Sequence, residues 1–369
     1  QRADTVSSLE ATLVAGASLF VELTPPADTQ TTDILRRFHS TVSSVFHTPI
    51  AETYSAWASF IRNITGFDRV KIYRFDDAYN GEVIAESNSG RLESFLGFHF
   101  PASDIPEQAR RLYAKAPVRC IFNVDGGSYS LFPACGPDSA HPIDMSLCSL
   151  RAVSPVHLQY LRNMKVGASL SISIMLDGRI WGIIACHHHR PKYLSADVMQ
   201  ACRTISTAAS QQLRLGRTES AYRIQSRLLA KSAHHKPESP LSRTDAIKQT
   251  LAEAKVLFGA SYVYAKLQST AFTSQDIDVD SLVPRLISFL RTTSDEAIYT
   301  TTSLPVLLPE TLRHRTKICG LLAIRIDSSW TDFALFFRPE QTTEVRWAGQ
   351  KDLDARADAS GALLPRSSF

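Results

Sequence analysis

Three stretches of this chain gather residues able to do chemistry. The first is Pro101-Ala-Ser-Asp104-Ile105-Pro106, a carboxylate held between two prolines. The second is Arg151-Ala-Val-Ser-Pro-Val156-His157-Leu-Gln-Tyr160-Leu-Arg-Asn-Met164, which sets a guanidinium, an imidazole and a phenol at short spacing. The third is Trp181-Gly-Ile-Ile-Ala-Cys186-His187-His188, followed by His189. A guanidinium suits a carboxylate because its planar fork donates two parallel hydrogen bonds. An imidazole donates, accepts and titrates near neutrality. Asp104 with Glu107 three residues later also matches a helix capping box, and a cap is compatible with a ligand contact. Cys186 and the histidines are zinc-ligand types. Neighbouring strand residues point to opposite faces, however, so the three histidines cannot all reach one ligand.

The elements that must position these residues can be read from period and turn chemistry. Ala168 to His187 reads as a hairpin around Asp177-Gly178, a strong two-residue turn signal. On its first strand Ser169, Ser171 and Ser173 share one face, and Leu170, Ile172 and Ile174 share the other. Solvent or a buried polar ligand would explain the serine face. Val70 to Phe75 and Glu82 to Glu86 read as strands joined near Asn80-Gly81. Pro101 to about Ala116 reads as a short helix entered by Asp104. Ile34, Phe38, Val42, Val45 and Phe46 predict a helix within 30–65. Gly126 to Ser146 is a loop by composition. A long proline-free helix is expected over 195–232, carrying Val198, Cys202, Ile205, Leu213, Tyr222, Ile224 and Leu228. A turn-rich break follows at His234 to Pro240. Beyond it, a helix at Ala246 to Phe258 and strands at Ser261 to Lys266 and Ile318 to Asp327 predict a second α+β domain.

Composition narrows the function classes. The chain has 369 residues, 44% hydrophobic and 21% charged, with a net charge of +4. That is typical of a globular protein of two to three domains. Lys and Arg are spread, so a nucleic-acid surface is not indicated. No apolar run is long enough to span a bilayer, and no leader pattern opens the sequence. The six cysteines include no C-x-x-C; reduced thiols in a cytoplasmic protein are expected, with Cys135 and Cys148 the one pair weighed for a disulfide. No G-x-S-x-G elbow or phosphate-cradling loop is present, so the chain does not read as an enzyme.

Taken together, the three stretches resemble the chromophore-binding region of phytochromes, red-light receptors that hold a linear tetrapyrrole. The likeness is greatest to the bacterial type that uses biliverdin IXα. It implies a PAS remnant at 1–25, a GAF domain at 26–195, a linking helix at 196–232 and a PHY domain at 233–369. Each main domain would be a central antiparallel sheet flanked by helices. The resemblance gives Asp104 a backbone contact to the pyrrole nitrogens and His157 a contact to the central rings. It gives His187 the carbonyl of the outermost, isomerising ring. Arg119 and Arg151 match propionate clamps, and Ser169 and Ser171 match hydroxyl donors to the other propionate. Tyr73, Phe100, Tyr113 and Tyr160 match aromatics around the outermost ring, and Ile105 and Val156 belong to the same pocket.

The segments Phe337-Arg-Pro-Glu340, Val345-Arg-Trp347-Ala-Gly349 and Pro365-Arg366-Ser-Ser368-Phe369 resemble the PHY tongue. Arg366 and Ser368 would exchange as partners of Asp104 when that hairpin refolds. Implied partners are the bilin, a second copy through the linking helix, and a response regulator through an output domain outside this sequence. That output domain is expected to be a histidine kinase.

The sequence departs from the family pattern at two places. Plant and cyanobacterial members attach their pigment to a cysteine where this chain has Val156. In the bacterial type the attaching cysteine lies upstream of the PAS domain, outside this sequence, and none of the six cysteines matches it. Lys165 replaces a usual glycine. The alternative reading is a GAF sensor of another small ligand without bilin photochemistry, since fold alone does not settle function.

Overall fold

The computed structural model describes residues 10–15, 19–24, 50–135, 141–234, 243–274, 281–293, 296–348, 356–357 and 363–364. The helical positions Ile34 to Phe46 and the tongue residues Arg366 and Ser368 lie outside the described residues. The fold is mixed α+β, as expected. Two compact units divide it: Gln1–Leu228 with Val345–Phe369, and Leu229–Glu344.

In the first unit, β1 (Glu10–Ala15) and β2 (Leu19–Thr24) form an antiparallel hairpin. Helix α1 (Ile50–Thr65) buries Trp57, Ala58, Ile61 and Ile64, the i, i+3, i+4 stripe of an amphipathic helix. The main sheet contains β3 (Arg69–Phe75), β4 (Gly81–Asn88), β5 (Phe98–Phe100), β6 (Val118–Ile121), β7 (Ala168–Leu176) and β8 (Arg179–His188). Its order is β5-β4-β3-β8-β7-β6, and the short strand Arg346–Trp347 adds in parallel at the β5 edge. Helices α2 (Glu107–Lys115), α3 (Pro155–Asn163) and α4 (Ala196–His234), the last as far as Leu228, complete the unit.

Period two gives this sheet two different faces. Val70 and Ile72 on β3, Leu170, Ile172 and Ile174 on β7, and Ile184 and Cys186 on β8 face one way. They pack against Trp57 and Ile61 of α1 and Val198, Cys202 and Ile205 of α4. Each fully buried large aliphatic side chain there contributes about 1.5–3 kcal/mol. The opposite face carries Arg69, Lys71, Tyr73, Ser169, Ser171, Ser173 and His187, all buried or half-buried. The β7–β8 turn is as the sequence implies: Asp177 and Gly178 have φ of 50° and 77°, the left-handed pair that a tight hairpin requires.

One local expectation is corrected, and one is met with its own turn chemistry. Asp104 does not cap a helix. It ends a 3-10 turn, Ala102–Asp104, and Pro106 is the N-cap residue of α2, with no side-chain cap bond. Pro106 forces Ile105 out of the helical region (φ −126°, ψ 83°), which separates Asp104 from the helix. The hairpin expected near Asn80-Gly81 is present, with β3 paired antiparallel to β4 and the turn made by Asp76 to Asn80. Tyr79 takes the left-handed conformation at φ 63°, and the Asp76 carboxylate accepts from the Asn80 backbone N–H at 2.8 Å. Gly81 is needed for another reason: a Cβ there would lie 1.7 Å from the Tyr73 ring.

The second unit repeats the arrangement. Helix α5 (Arg243–Leu257) precedes β9 (Tyr262–Leu267) and β10 (Thr270–Thr273). Helix α6 (Val283–Thr293), β11 (Ile298–Thr301), β12 (Gly320–Arg325) and β13 (Phe333–Arg338) follow. The order β10-β9-β13-β12-β11 matches β4-β3-β8-β7-β6 of the first sheet, and every neighbouring pair in both is antiparallel.

Candidate functional site

The polar face of the first sheet is built in rows that follow from strand register. Arg119 on β6 lies opposite Ser171 on β7, then Ala185 on β8, Lys71 on β3 and Glu86 on β4. The next row runs Ile121, Ser169, His187, Arg69. Over the serine and arginine end of these rows lies a cavity of about 800 Å³, within the usual range for a small-molecule site. Residues 103–106, α2, the stretch 151–154 and α3 form its other walls.

Most of the expected site residues meet in this cavity. Asp104 and Ile105 line it from the 3-10 turn, and Tyr113 lines it from α2. Val156, His157 and Tyr160 line it from α3, and Ser169, Ser171, Arg119 and Arg151 complete it. Tyr160 donates its hydroxyl to Asp104 Oδ2 at 3.3 Å. Tyr113 and Ser171 hydroxyls are 3.5 Å apart. His157 stacks near-parallel on Tyr160 at 6.2 Å between ring centroids. Loss of solvation, then the Arg119 charge, pushes the His157 imidazolium down to about 4, so this side chain is neutral at pH 7 and both donates and accepts.

Tyr73, Phe100 and His187 are not in the cavity lining. Tyr73 and Phe100 pack with Phe75, Phe95, Ile180 and Ile183 in a buried cluster on the same sheet face. Arg69 donates from Nη2 to His187 Nδ1 at 2.7 Å. Arginine only donates, so Nδ1 is the acceptor and His187 carries its proton on Nε2. Burial, then Lys71 and Arg69, hold the His187 imidazolium well below its ordinary range. The outcome is a neutral imidazole with a fixed tautomer and one N–H left to give.

The two arginines have a second task that the sequence did not reveal. Arg119 donates to the backbone carbonyls of Ser149 and Arg151, and Arg151 Nη1 donates to those of Ser146 and Cys148 at 2.9 and 3.0 Å. Glu22 of β2 holds the same loop through Ser149 Oγ and the Leu150 N–H. The guanidinium groups are therefore pre-positioned at the cavity wall. Arg151 Nε and Nη2 make no hydrogen bond among the described residues.

The consecutive histidines separate as strand alternation predicts until β8 ends at His188. His189 Nδ1 then lies 2.6 Å from Asp68 Oδ2, and His188 Nε2 lies 3.7 Å from the same oxygen. Asp68, His188 and His189 thus cluster apart from Cys186, which is buried on the opposite, apolar face. None of the six cysteines, Cys135 and Cys148 included, forms a disulfide, and none lines the cavity. Burial raises the Cys120, Cys148, Cys186 and Cys202 thiols, which makes them poor nucleophiles.

Sequence reasoning missed Arg69 and Lys71. Alternating charges in Arg69-Val-Lys71-Ile-Tyr73 read by default as a solvent face, yet both side chains are buried. Burial pulls Arg69 down to about 10 and Lys71 down to about 7.

A cavity lies over the polar face of an antiparallel sheet, and a second domain repeats the strand order of that sheet. Comparison with known proteins identifies the family. Residues 50–213 match the GAF domain family, and residues 259–369 match the phytochrome region family. Cyanobacterial phytochrome B of Nostoc is 35% identical over 85% of this chain and 42% of its own length. The bacteriophytochrome of Pseudomonas aeruginosa is 34% identical over 88% of this chain and 44% of its own length. The crystal structure of bacteriophytochrome RpBphP3 from R. palustris superposes with a TM-score of 0.90 at 31% identity. It matches 98% of this chain and 73% of that one. The chain belongs to the phytochrome family of photoreceptors. It spans less than half the length of these two curated relatives. No helix among the described residues is long and apolar enough to cross a membrane.

Proposed function

We propose that this chain is the light-sensing part of a bacterial phytochrome and binds biliverdin IXα in the cavity of its first unit. The observation that carries this is the cavity's donor set. Arg119, Arg151, Ser169 and Ser171 gather on one side, where a carboxylate-bearing ligand would be held. His157, Tyr160 and Asp104 line the path along it. The buried side chains of the polar face include three cations, Arg69, Lys71 and Arg119. Such a face favours an anionic ligand. The remaining lining is mostly apolar, as a flat conjugated system requires.

When bound, the pigment supplies absorption of red light and isomerisation about the bond to its outermost ring. The protein's part is to clamp the propionates with Arg119 and Arg151, to face the central rings with neutral His157, and to present His187 Nε2–H to the outermost ring. Tyr73, Phe100 and Tyr160 enclose that ring, and their contacts change after light. Asp104 links the pocket to the tongue, where Arg366 and Ser368 exchange as its partners while the hairpin refolds. The pairing of Arg346 and Trp347 with Phe98 and His99 supports a tongue anchored to the first sheet. A homodimer forms along α4, where Tyr222 and Ile224 are exposed. An output module, a histidine kinase acting on a response regulator in the cytoplasm, receives the signal. Residues 1–25 belong to a PAS domain, 26–195 to the GAF domain, 196–232 to the linking helix and 233–369 to the PHY domain.

The test is an absorption spectrum of the purified protein with biliverdin, before and after red illumination. A sharpened red band that shifts reversibly is expected. Absence of any bound band, in this chain and in the longer protein, overturns the assignment.

A further inference from the structure

The Lys71 ammonium is buried on the polar face of the first sheet. The residue is 4% exposed, and its Nζ makes no hydrogen bond or ion pair among the described residues. Among the described residues its Nζ lies over the faces of Phe95 and Phe100, 5.0 and 5.4 Å from the ring centroids. The groups that face it are Arg69 on its own strand, Glu86 on β4, His187 on β8 and Asp104 from the 3-10 turn, while the Cys186 thiol lies on the far side of the sheet. Each carboxylate is engaged elsewhere. Glu86 accepts from Asn88 Nδ2 and the Phe95 backbone N–H, at 3.1 and 2.9 Å, and Asp104 accepts from Tyr160. Arg69 spends its two terminal nitrogens on the Glu93 carbonyl and His187. Two aromatic faces return only part of the cost of burying an ammonium.

The row geometry shows where the missing partner would sit. Lys71 is two strands from Ser171, which lines the cavity, and the side chain between them is only the methyl group of Ala185. The sheet floor is therefore low at this point, between the cavity and the Phe95–Phe100 cluster.

We propose that Lys71 is a ligand-contact residue which, together with His187 Nε2–H, donates to an oxygen of the bound pigment, the lactam carbonyl of its terminal ring. This rests on the bilin reading above. An oxygen acceptor would favour the ammonium form, so binding would take up a proton wherever the unliganded amine is neutral. Burial, then Arg69, pulls the free protein's Lys71 down to about 7. His157 is pulled down to about 4 and Arg69 and Arg119 to about 10, on either side of Lys71.

The experiment is a biliverdin titration of the whole chain at pH 6.5, 7.5 and 8.5, followed by tryptophan fluorescence quenching and by the pigment's red band. The wild type is compared with Lys71→Met and Lys71→Arg. Wild-type affinity is expected to fall by about tenfold per pH unit above 7. Lys71→Met should show a flat profile and a shifted band, and Lys71→Arg, charged throughout, a flat profile at higher affinity than Lys71→Met. If Lys71→Met fails to fold, the wild-type and Lys71→Arg profiles decide. A flat wild-type profile, or an equal slope in either variant, overturns the role of Lys71 and leaves the bilin reading standing. No binding by the wild type at any pH overturns both.

Discussion

The two sheets share one strand order and differ in what they bury. In the second unit both faces are apolar. Tyr262, Tyr264, Leu335 and Phe337 pack on one side, and Val263, Ala265, Ala334 and Phe336 on the other. In the first unit one face is equally apolar, but the other buries Arg69, Lys71, Arg119, Ser169, Ser173 and His187. The strand order is thus compatible with a sheet that is core on both sides. The polar face of the first sheet is not required by the fold. Buried polar groups cost free energy unless partnered, and the partner we propose for them is a ligand in the adjoining cavity.

The largest expected effect breaks this comparison from the side of the second unit. Ala265→Lys places a cation in a face built of apolar side chains. It should destabilise that unit by about 3–5 kcal/mol in chemical denaturation, whereas the first unit tolerates Lys71 on its own sheet. Next, Arg119→Ala removes both the loop anchor and a carboxylate clamp. Biliverdin affinity should fall by about 100-fold, from the cost of truncating a buried charge contact, with the far-ultraviolet spectrum retained. Smaller is a pH effect on the unliganded protein. The Lys71 pKa is lower folded than unfolded, so the unfolded state holds more protons between about 7 and 10.5. Lys71 should therefore raise stability with pH from about 7 to about 8.5, by roughly 1–2 kcal/mol, before the buried thiols, which folding holds protonated, reverse the trend, and Lys71→Met should remove that rise. The smallest is Gly81→Ala, whose new methyl would collide with the Tyr73 ring. A loss of about 1–2 kcal/mol in thermal unfolding is expected, with Tyr73 displaced from Phe100.

Much of the first sheet was legible because its signals are local. The serine alternation on β7 and the Asp177-Gly178 turn depend on residues next to one another, and both stand in the structure as read. Asp104 was misread as a cap although Pro106 already forbade helix through Ile105. The capping-box spacing outweighed a steric rule that should have prevailed. Arg69 and Lys71 were illegible because a charged strand face is solvent-exposed by default, and only the packing above it makes it an interior. The loop-holding bonds of Arg119, Arg151 and Glu22 join segments far apart in sequence, as does the pairing of Arg346–Trp347 with β5. No local pattern encodes such contacts.

The measurement that bears most directly on the central claim is amide hydrogen exchange of the whole chain with and without biliverdin. The polar face of the first sheet should be the binding surface. Added protection should therefore fall on β3, β7, β8, α3 and residues 146–151, with β9 to β13 unchanged. Protection confined to the second unit, or spread equally over both sheets, would contradict the account.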